Sequence, residues 1–317
     1  MLLDVDTPRL ARQTSVSGLV LAAALLCAVM GAGPAEASTS KSKPHSHSHS
    51  HAKHHRAGHR AEQRKTADPR QPRSGSGLPA PRVASVAGFD TCSAPSASAM
   101  RIWHKNSSYR AVGVYVGGRN RACASGNLTA GWVATVSAQG WSLIPIYVGS
   151  QAPCSSQKDV RKMVPAQAAQ QGAAEADDAA GHAAALGMVK GSPVYFDLEA
   201  FKQTDRGCVN TVVAYLSAWS RELHARGYYS GVYGSAASGM ATLTKAVESR
   251  SSFTVPDAIW IARWDRQPRT SDGSVPGSMW SHHQRIKQYQ GGHVEKHGGV
   301  AINIDSDYLD GPVARLR

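Results

Sequence analysis

The sequence predicts an α/β fold, a TIM-like barrel of five strand–helix units followed by three strands. Eight short apolar runs recur between residues 86 and 304, each about the length of a buried parallel strand. Helix-length segments separate the earlier runs, which is typical of a parallel sheet covered by helices. After the sixth run the helical pattern stops, and residues 265–285 are rich in Pro, Ser, Gly and Arg. An open doubly wound sheet is the alternative, but no G-x-G-x-x-G motif follows a strand.

Each element is justified by its composition and its flanking residues. The predicted strands cover residues 86–89, 111–116, 143–148, 193–196, 230–233, 259–262, 286–289 and 301–304. The predicted helices cover residues 128–139, 166–186, 209–226 and 236–247. Gly140, Gly187 and Gly227 follow three of these helices, where glycine commonly ends a helix. Residues 291–299 are expected to be a short Gly-rich connection between the last two strands.

Residues 1–37 are predicted to be a secretory signal peptide. Arg9 and Arg12 precede an apolar run from Val16 to Met30, and Ala35-Glu36-Ala37 matches an A-x-A cleavage site. The alternative is an uncleaved anchor, although the run is short for a membrane span. The mature protein is therefore expected to be secreted or associated with the cell wall, without membrane contact after cleavage.

Residues 38–82 are predicted to be a disordered linker, because they contain almost no apolar residue to bury. Seven of the 14 histidines lie here, and the segment carries a net charge of +8. We favour a solvated tether that binds anionic wall polymers, while chelation of Zn, Ni or Cu by the histidines remains open. The predicted barrel domain, residues 83–317, carries only +6, which argues against a nucleic-acid partner.

Four cysteines remain after the predicted cleavage, and an even number in an exported protein predicts two disulfide bonds. They are Cys92, Cys123, Cys154 and Cys208. Three pairings are possible, and the residues alone do not choose between them. No C-x-x-C or H-E-x-x-H motif occurs, and the adjacent His282 and His283 would face opposite ways in an extended chain. No metal site and no cofactor are therefore expected.

Six acidic residues follow predicted strands, at the ends where strand–helix barrels place their chemistry. They are Asp90, Asp197, Glu199, Asp265, Asp305 and Asp307. Asp197 and Glu199 are two residues apart, so on a strand they share one face with Tyr195. Neighbouring carboxyl groups push their pKa values apart, which leaves one as a proton donor and the other charged. Glycosidic cleavage requires such a pair. Helix capping explains Asp90 or Asp265 equally well.

Aromatic residues in or beside the strands favour a sugar-binding surface, because aromatic faces stack on sugar rings. They are Trp103, Tyr115, Tyr147, Tyr195, Tyr233, Trp260, Trp264 and Tyr289. For those that face the helices, packing in the core is the simpler explanation.

Seven segments of the chain carry a resemblance to a known family. They are Gly88-Phe89-Asp90, Tyr147-Val148-Gly149, Tyr195-Phe196-Asp197-Leu198-Glu199, Gly231-Val232-Tyr233-Gly234, Trp260-Ile261-Ala262-Arg263-Trp264, Gln288-Tyr289 and Ile304-Asp305. Over residues 86–312 the chain resembles the glycoside-hydrolase-like domain called domain of unknown function 1906, which is found in secreted actinobacterial proteins. That group is in turn similar to glycoside hydrolase family 25, the lysozyme-type muramidases, which also look like five strand–helix units followed by three strands.

The resemblance implies roles for individual residues. Glu199 corresponds to the muramidase general acid, and Asp197 to the acid that orients or stabilises the substrate's N-acetyl group. Asp90 and Asp305 correspond to two further acids that line that site, whereas Asp307 stands where muramidases commonly have Asn. The residues expected to bind substrate are Tyr147, Tyr195, Tyr233, Trp264, Gln288 and Tyr289.

The expected function is hydrolysis of a glycosidic bond in a cell-wall polysaccharide of the peptidoglycan type by a secreted monomer. A non-catalytic glycan-binding protein on the same fold is the alternative, and a metal-scavenging surface protein is a third. The disulfide bonds are expected to join Cys92 to Cys123 and Cys154 to Cys208, since each pair lies on loops that follow neighbouring strands.

Overall fold

Eight strands close into a barrel in a computed structural model that describes residues 77–249 and 252–317. The predicted signal peptide and nearly all of the predicted linker lie outside these residues. The described residues contain nine strands, of which all but the first form the barrel. They are β1 (Arg82–Ala84), β2 (Ala87–Asp90), β3 (Ala111–Gly117), β4 (Ser142–Tyr147), β5 (Pro193–Leu198), β6 (Tyr229–Ser235), β7 (Ala258–Ala262), β8 (Arg285–His297) and β9 (Val300–Val313). The helices are α1 (Ala97–Asn106), α2 (Ala130–Ala138), α3 (Ala168–Ala185), α4 (Arg206–Arg226) and α5 (Ala241–Glu248).

The strand order confirms the predicted fold class. Strands β2 to β8 pair in chain order, each parallel to the one before it. Strand β9 pairs with both β8 and β2 and so closes the barrel. Helices follow each strand from β2 to β6, whereas β7, β8 and β9 are not followed by an α-helix, which gives five strand–helix units and then three strands. Strand β1 adds to β9 outside this circuit.

The last strand differs from the predicted parallel sheet. Strand β9 is antiparallel to both neighbours, because only Gly298 and Gly299 separate it from β8 and a parallel return needs a much longer crossover. Both glycines have positive φ, at 56° and 87°. Residues 291–297 were expected to be a connection, but they belong to β8. They form a two-stranded ribbon with the start of β9, and their glycine content hides the alternation of a strand.

Helix α1 was not among the predicted helices. Its N-cap is Ser96, whose hydroxyl accepts the Ala99 N–H at 3.1 Å. Only Met100 and Trp103 of the helix are fully buried, so the apolar pattern in the sequence is too sparse to reveal it.

Alternation along the strands separates an inner core from an outer core. On β5, Val194, Phe196 and Leu198 pack outward against the helices, whereas Tyr195 packs inward with Trp260. The inner face of β5 therefore continues from Tyr195 to Asp197 and on towards the carboxyl end of the barrel. This is the face that the spacing of Tyr195 and Asp197 predicts.

Residues 263–284 take the place of a helix after β7, and an ion-pair cluster anchors them. Lys287 on β8 is only 1% exposed, and its ammonium lies 2.6 Å from Oδ2 of Asp265 and 3.4 Å from Oδ2 of Asp272. Arg263 pairs with Asp272 at 2.9 Å. Asp265 therefore neutralises the buried ammonium group of Lys287. Its position after a strand suggested a residue of the acidic site or a helix cap instead. None of the helices in the described ranges has both the length and the apolar character of a membrane-crossing segment.

Candidate active site

Five of the six predicted acids meet at the carboxyl ends of the parallel strands. Asp90 ends β2, and Asp197 and Glu199 lie at the end of β5 and just beyond it. Because β9 runs antiparallel, its first half reaches the same rim, and Asp305 lies directly opposite Asp90 in the β2–β9 register. Asp307 follows two residues later on the same face of β9.

Gln288 on β8 holds the centre of this group. It is 3% exposed, and its amide nitrogen donates to Oδ2 of Asp90 at 2.8 Å and lies 3.5 Å from Oδ2 of Asp305. Its amide oxygen accepts hydrogen bonds from the Tyr233 hydroxyl at 3.0 Å and from the indole N–H of Trp264 at 2.9 Å. All four hydrogen-bonding positions of one amide are therefore directed at residues of the site.

Burial raises the pKa of every acid in the group, and repulsion by neighbouring carboxylates adds to this for all of them except Glu199. Burial and the charge of Asp305 raise the pKa of Asp90 to about 7, while burial raises the pKa of Asp305 to about 6. The pKa values of Asp197 and Asp307 lie well above the usual range, again chiefly through burial. Burial also raises the pKa of Glu199. Among the described residues, no lysine or arginine forms an ion pair with any of these acids.

Gln151 fixes the backbone that carries the Asp197–Glu199 pair. Its amide nitrogen donates to the Asp197 carbonyl oxygen at 2.8 Å, and its amide oxygen accepts the Glu199 N–H at 2.9 Å. The side chain of Asp197 is buried, yet its Oδ1 has no hydrogen-bond partner among the described residues. A buried carboxyl oxygen without a partner is costly in a structural role and is typical of a functional site.

A cavity of about 280 Å³ lies beside Glu199. Tyr233 and Trp264 line it together with Glu199. The Trp264 side chain is 67% exposed, and its indole lies directly on Gly291, where a Cβ atom would be 2.5 Å from the ring. An exposed aromatic face beside a protonatable carboxyl group suits a sugar ring.

Three of the six predicted substrate-binding residues do not lie at this site. Tyr195 is in the barrel interior, and its hydroxyl donates to the Pro312 carbonyl oxygen at 2.9 Å. Tyr147 faces outward, and its hydroxyl donates to Asp178 on α3 at 2.7 Å. Tyr289 also faces outward, towards Tyr109 and Ser306. Tyr147 and Tyr289 each follow an inward-facing residue, so strand alternation turns them away from the acids.

Several residues of the site could not be assigned to it from the sequence. Tyr115 was noted only as an aromatic residue, but its hydroxyl donates to Oδ1 of Asp90 at 3.1 Å. The indole of Trp260 donates to Oδ1 of Asp307 at 2.9 Å. Gln151 carries no local signal at all, because it lies in a loop. His293 lies on the β8–β9 ribbon, and its positive charge lowers the pKa of Asp305 against the stronger effect of burial.

Two disulfide bonds join segments that follow the strands, with Cys208 in the first turn of α4. Cys92 is joined to Cys123, and Cys154 to Cys208. These are the pairs expected from the loop order, and the second lies next to the chain that follows Glu199, where Ser155 bridges to Phe201. No group of three or more His, Cys, Asp or Glu within the described ranges is arranged to hold a metal ion.

A barrel with acids gathered at its carboxyl-end rim is the architecture of many glycoside hydrolases. Residues 101–309 match the family described as the Rv2525c-like, glycoside hydrolase-like domain. The match covers well over half of the chain, and the protein belongs to this family. No curated protein matches the sequence.

Solved structures agree with the fold. A protein of B. stearothermophilus described as uncharacterized is 20% identical, with a TM-score of 0.51 over 71% of this chain and 95% of that one. The Tat-secreted protein Rv2525c of Mycobacterium tuberculosis, in complex with L-tartrate, is 16% identical, with a TM-score of 0.52 over 73% of this chain and 99% of that one. At these identities the likeness concerns the fold alone. The relation to domain of unknown function 1906 and to the family 25 muramidases stays a prediction.

Proposed function

We propose that this protein is a secreted glycoside hydrolase that cuts a cell-wall polysaccharide of the peptidoglycan type, with Glu199 as the general acid. The observation that carries the proposal is the position of Glu199, which lines an open cavity while burial raises its pKa. A carboxyl group with a raised pKa keeps its proton nearer to neutral pH and can give it to a leaving oxygen.

The remaining acids have complementary roles in this proposal. Glu199 protonates the glycosidic oxygen as the bond to the anomeric carbon breaks, and a water molecule then adds its hydroxyl group to that carbon and returns a proton to Glu199. Asp197, which is 6% exposed, accepts the N–H group of the substrate's N-acetyl substituent at its carboxylate. That hydrogen bond favours the charged form of Asp197, which stabilises the positive charge that develops on the sugar. Asp90 and Asp305 complete the acidic lining of the site, and the side-chain amide of Gln288, which contacts both, fixes their positions.

Trp264 and Tyr233 form the binding surface in this proposal. The exposed face of the Trp264 indole stacks on a sugar ring. The Tyr233 hydroxyl and the Trp264 indole donate to the same oxygen of Gln288, which holds both aromatic side chains at the site. Export is supported by two disulfide bonds, which persist in oxidising compartments. The predicted basic linker would hold the enzyme near anionic wall polymers.

The test is release of reducing ends from purified peptidoglycan by the full chain and by Glu199→Gln. We expect the variant to lose at least about 100-fold in rate, as general acids typically contribute this much, while it still binds peptidoglycan in a pull-down. Glu248→Gln is the matched control, because Glu248 is exposed at the end of α5, and it should retain full activity.

Undiminished release by Glu199→Gln would refute the assignment of the general acid. If neither protein released reducing ends and both bound peptidoglycan, the family fold would here serve a non-catalytic glycan-binding protein.

A further inference from the structure

A second cavity, of about 660 Å³, opens on the outer side of the barrel between the ends of β3 and β4 and helix α3. Its two sides differ in charge. Arg119 and Arg161 come from the loops that follow the strands, whereas Asp178 and His182 come from α3. Tyr147, which the sequence suggested for the sugar site, lines this cavity instead.

The loop side of the cavity is built by Asn120. Its side-chain amide donates to the Gly149 carbonyl oxygen at 2.9 Å and to the Arg161 carbonyl oxygen at 2.8 Å. Its amide oxygen accepts the Arg161 N–H at 2.8 Å. These three bonds join the segments that carry Arg119 and Arg161, so both guanidinium groups extend from a fixed backbone. Both arginines are exposed.

Glu175 forms the base of the cavity and is fully hydrogen-bonded. Its carboxylate accepts the Ser150 N–H at 2.8 Å, the Ser150 hydroxyl at 2.6 Å and the hydroxyl of Tyr215. Gly149 allows this approach, because a Cβ atom there would lie 2.2 Å from Oε2 of Glu175. The carboxylate that remains accessible to a ligand is therefore Asp178, whose one hydrogen bond within residues 77–249 and 252–317 is from the Tyr147 hydroxyl and which lies 3.6 Å from Nε2 of His182.

The cavity is lined by two arginines and two carboxylates, but they do not form ion pairs with one another. Arg119 and Arg161 oppose Glu175 and Asp178, yet neither guanidinium forms an ion pair with any carboxylate of the described residues. Separated charges of opposite sign suit a ligand that carries both an anionic and a cationic group. A ligand with only one charge would satisfy one side of the cavity and leave the other unpaired.

We propose that this cavity binds the charged ends of a short peptide, with the carboxylate at Arg119 and Arg161 and the ammonium group at Asp178. The planar guanidinium group matches carboxylate geometry, and Asp178 offers acceptors for an ammonium group. The cavity is large enough for a dipeptide.

The cavity and the acid site share one loop. Ser150 bonds to Glu175 at the base of the cavity, whereas the next residue, Gln151, bonds to the backbone of Asp197 and Glu199. Neighbouring residues of one loop therefore contact both the base of the cavity and the backbone that carries the acids. The inference does not rest on the proposed hydrolysis, because peptide binding is measured without turnover.

The test is calorimetric titration of the full chain with alanyl-alanine, a dipeptide that carries both charges. N-acetyl-alanyl-alanine lacks the ammonium group, and alanyl-alanine amide lacks the carboxylate. We expect the zwitterion to bind, and each analogue to bind about tenfold more weakly, since each loses one charge-assisted hydrogen-bonded contact. Absence of binding by the zwitterion, or equal binding of all three peptides, would overturn the proposal.

Substitutions of residues that line the cavity test whether the dipeptide binds there. Arg161→Ala and Asp178→Asn should each weaken the dipeptide about tenfold, and the second keeps an acceptor for the Tyr147 hydroxyl. Arg101→Ala, an exposed arginine on α1, and Glu199→Gln should bind the dipeptide like the wild type. Unchanged affinity in both cavity variants would overturn the proposal. Loss of activity in Glu199→Gln with intact dipeptide binding would separate this site from the acid site.

Discussion

The side-chain amide of Gln288 donates a hydrogen bond to Oδ2 of Asp90 at 2.8 Å. The indole N–H of Trp264 can only donate, so its bond to Oε1 of Gln288 fixes which end of the amide faces Asp90. One buried side chain thus connects an acid inside the barrel to an exposed aromatic ring at the rim. The position of that ring should therefore matter for substrate binding without being needed for folding.

Gly291→Ala tests the position of the Trp264 ring. A Cβ atom at residue 291 would lie 2.5 Å from the indole, which must swing away because it is exposed and the strand is not free to move. The bond to Gln288 is then lost, and we expect affinity for peptidoglycan fragments to fall about tenfold with little change in stability. Calorimetric titration and thermal unfolding measure the two effects.

Gly292→Ala is the matched control for this substitution. A Cβ atom there meets Oδ1 of Asp305 at 3.7 Å, an ordinary contact, and leaves Trp264 in place. Wild-type affinity is expected for this variant. An equal loss of affinity in the two variants would show that the ribbon backbone, and not the indole, accounts for the effect.

The pH dependence of activity follows from the proposed general acid. Glu199 must carry its proton to act, and burial raises its pKa, so kcat/KM should fall as the pH rises through that raised value. The midpoint of the fall should lie above the ordinary glutamate value of about 4.3. Reducing-end release measured across the pH range checks this. A midpoint at the ordinary glutamate value, or no alkaline fall, would contradict the assignment.

Stability should depend on pH through Asp90. Its pKa is raised from 3.8 to about 7 in the folded protein, so the folded state holds the proton more tightly than the unfolded chain does. This contribution to stability is complete below about pH 4 and is lost as the pH rises through about 7. Through Asp90 alone, the unfolding free energy should fall by about 2–4 kcal/mol over that interval.

Asp90→Asn should reduce the slope measured by urea unfolding at a series of pH values by the contribution of Asp90, whereas the other buried acids of the site keep theirs. The exposed Glu248→Gln variant should keep the wild-type slope. If Asp90→Asn retained the full slope, another group would have to be responsible for the titration.

The fold could be predicted from the sequence further than the site could. Eight apolar runs predicted eight barrel strands, because buried strands have little freedom in composition. The spacing of Tyr195 and Asp197 predicted a shared inner face for the same reason. Tyr147 and Tyr289 could not be placed, because a one-residue change of register reverses the facing of a side chain. Gln151 could not be found, because its role depends on a loop meeting β5 in three dimensions.

The disulfide bond between Cys154 and Cys208 should matter more for activity than the bond between Cys92 and Cys123. Asp90 lies within a strand that is paired on both sides, so the nearby Cys92 bond adds little to its position. Glu199 lies beyond the end of β5, and its backbone N–H is held by Gln151. The loop that follows Glu199 is fixed to the Cys154 segment, where the Ser155 backbone bridges to Phe201.

Replacing both cysteines of either pair by serine should cost about 4 kcal/mol of unfolding free energy, because the closed loops of 54 and 31 residues differ little in closure entropy. Chemical unfolding should therefore show similar losses for the two double variants. Reducing-end release below the unfolding transition should fall markedly only for Cys154→Ser/Cys208→Ser, since only there does the loop that carries Glu199 lose its anchor. Equal activity of the two variants would mean that Gln151 alone is sufficient to position Glu199.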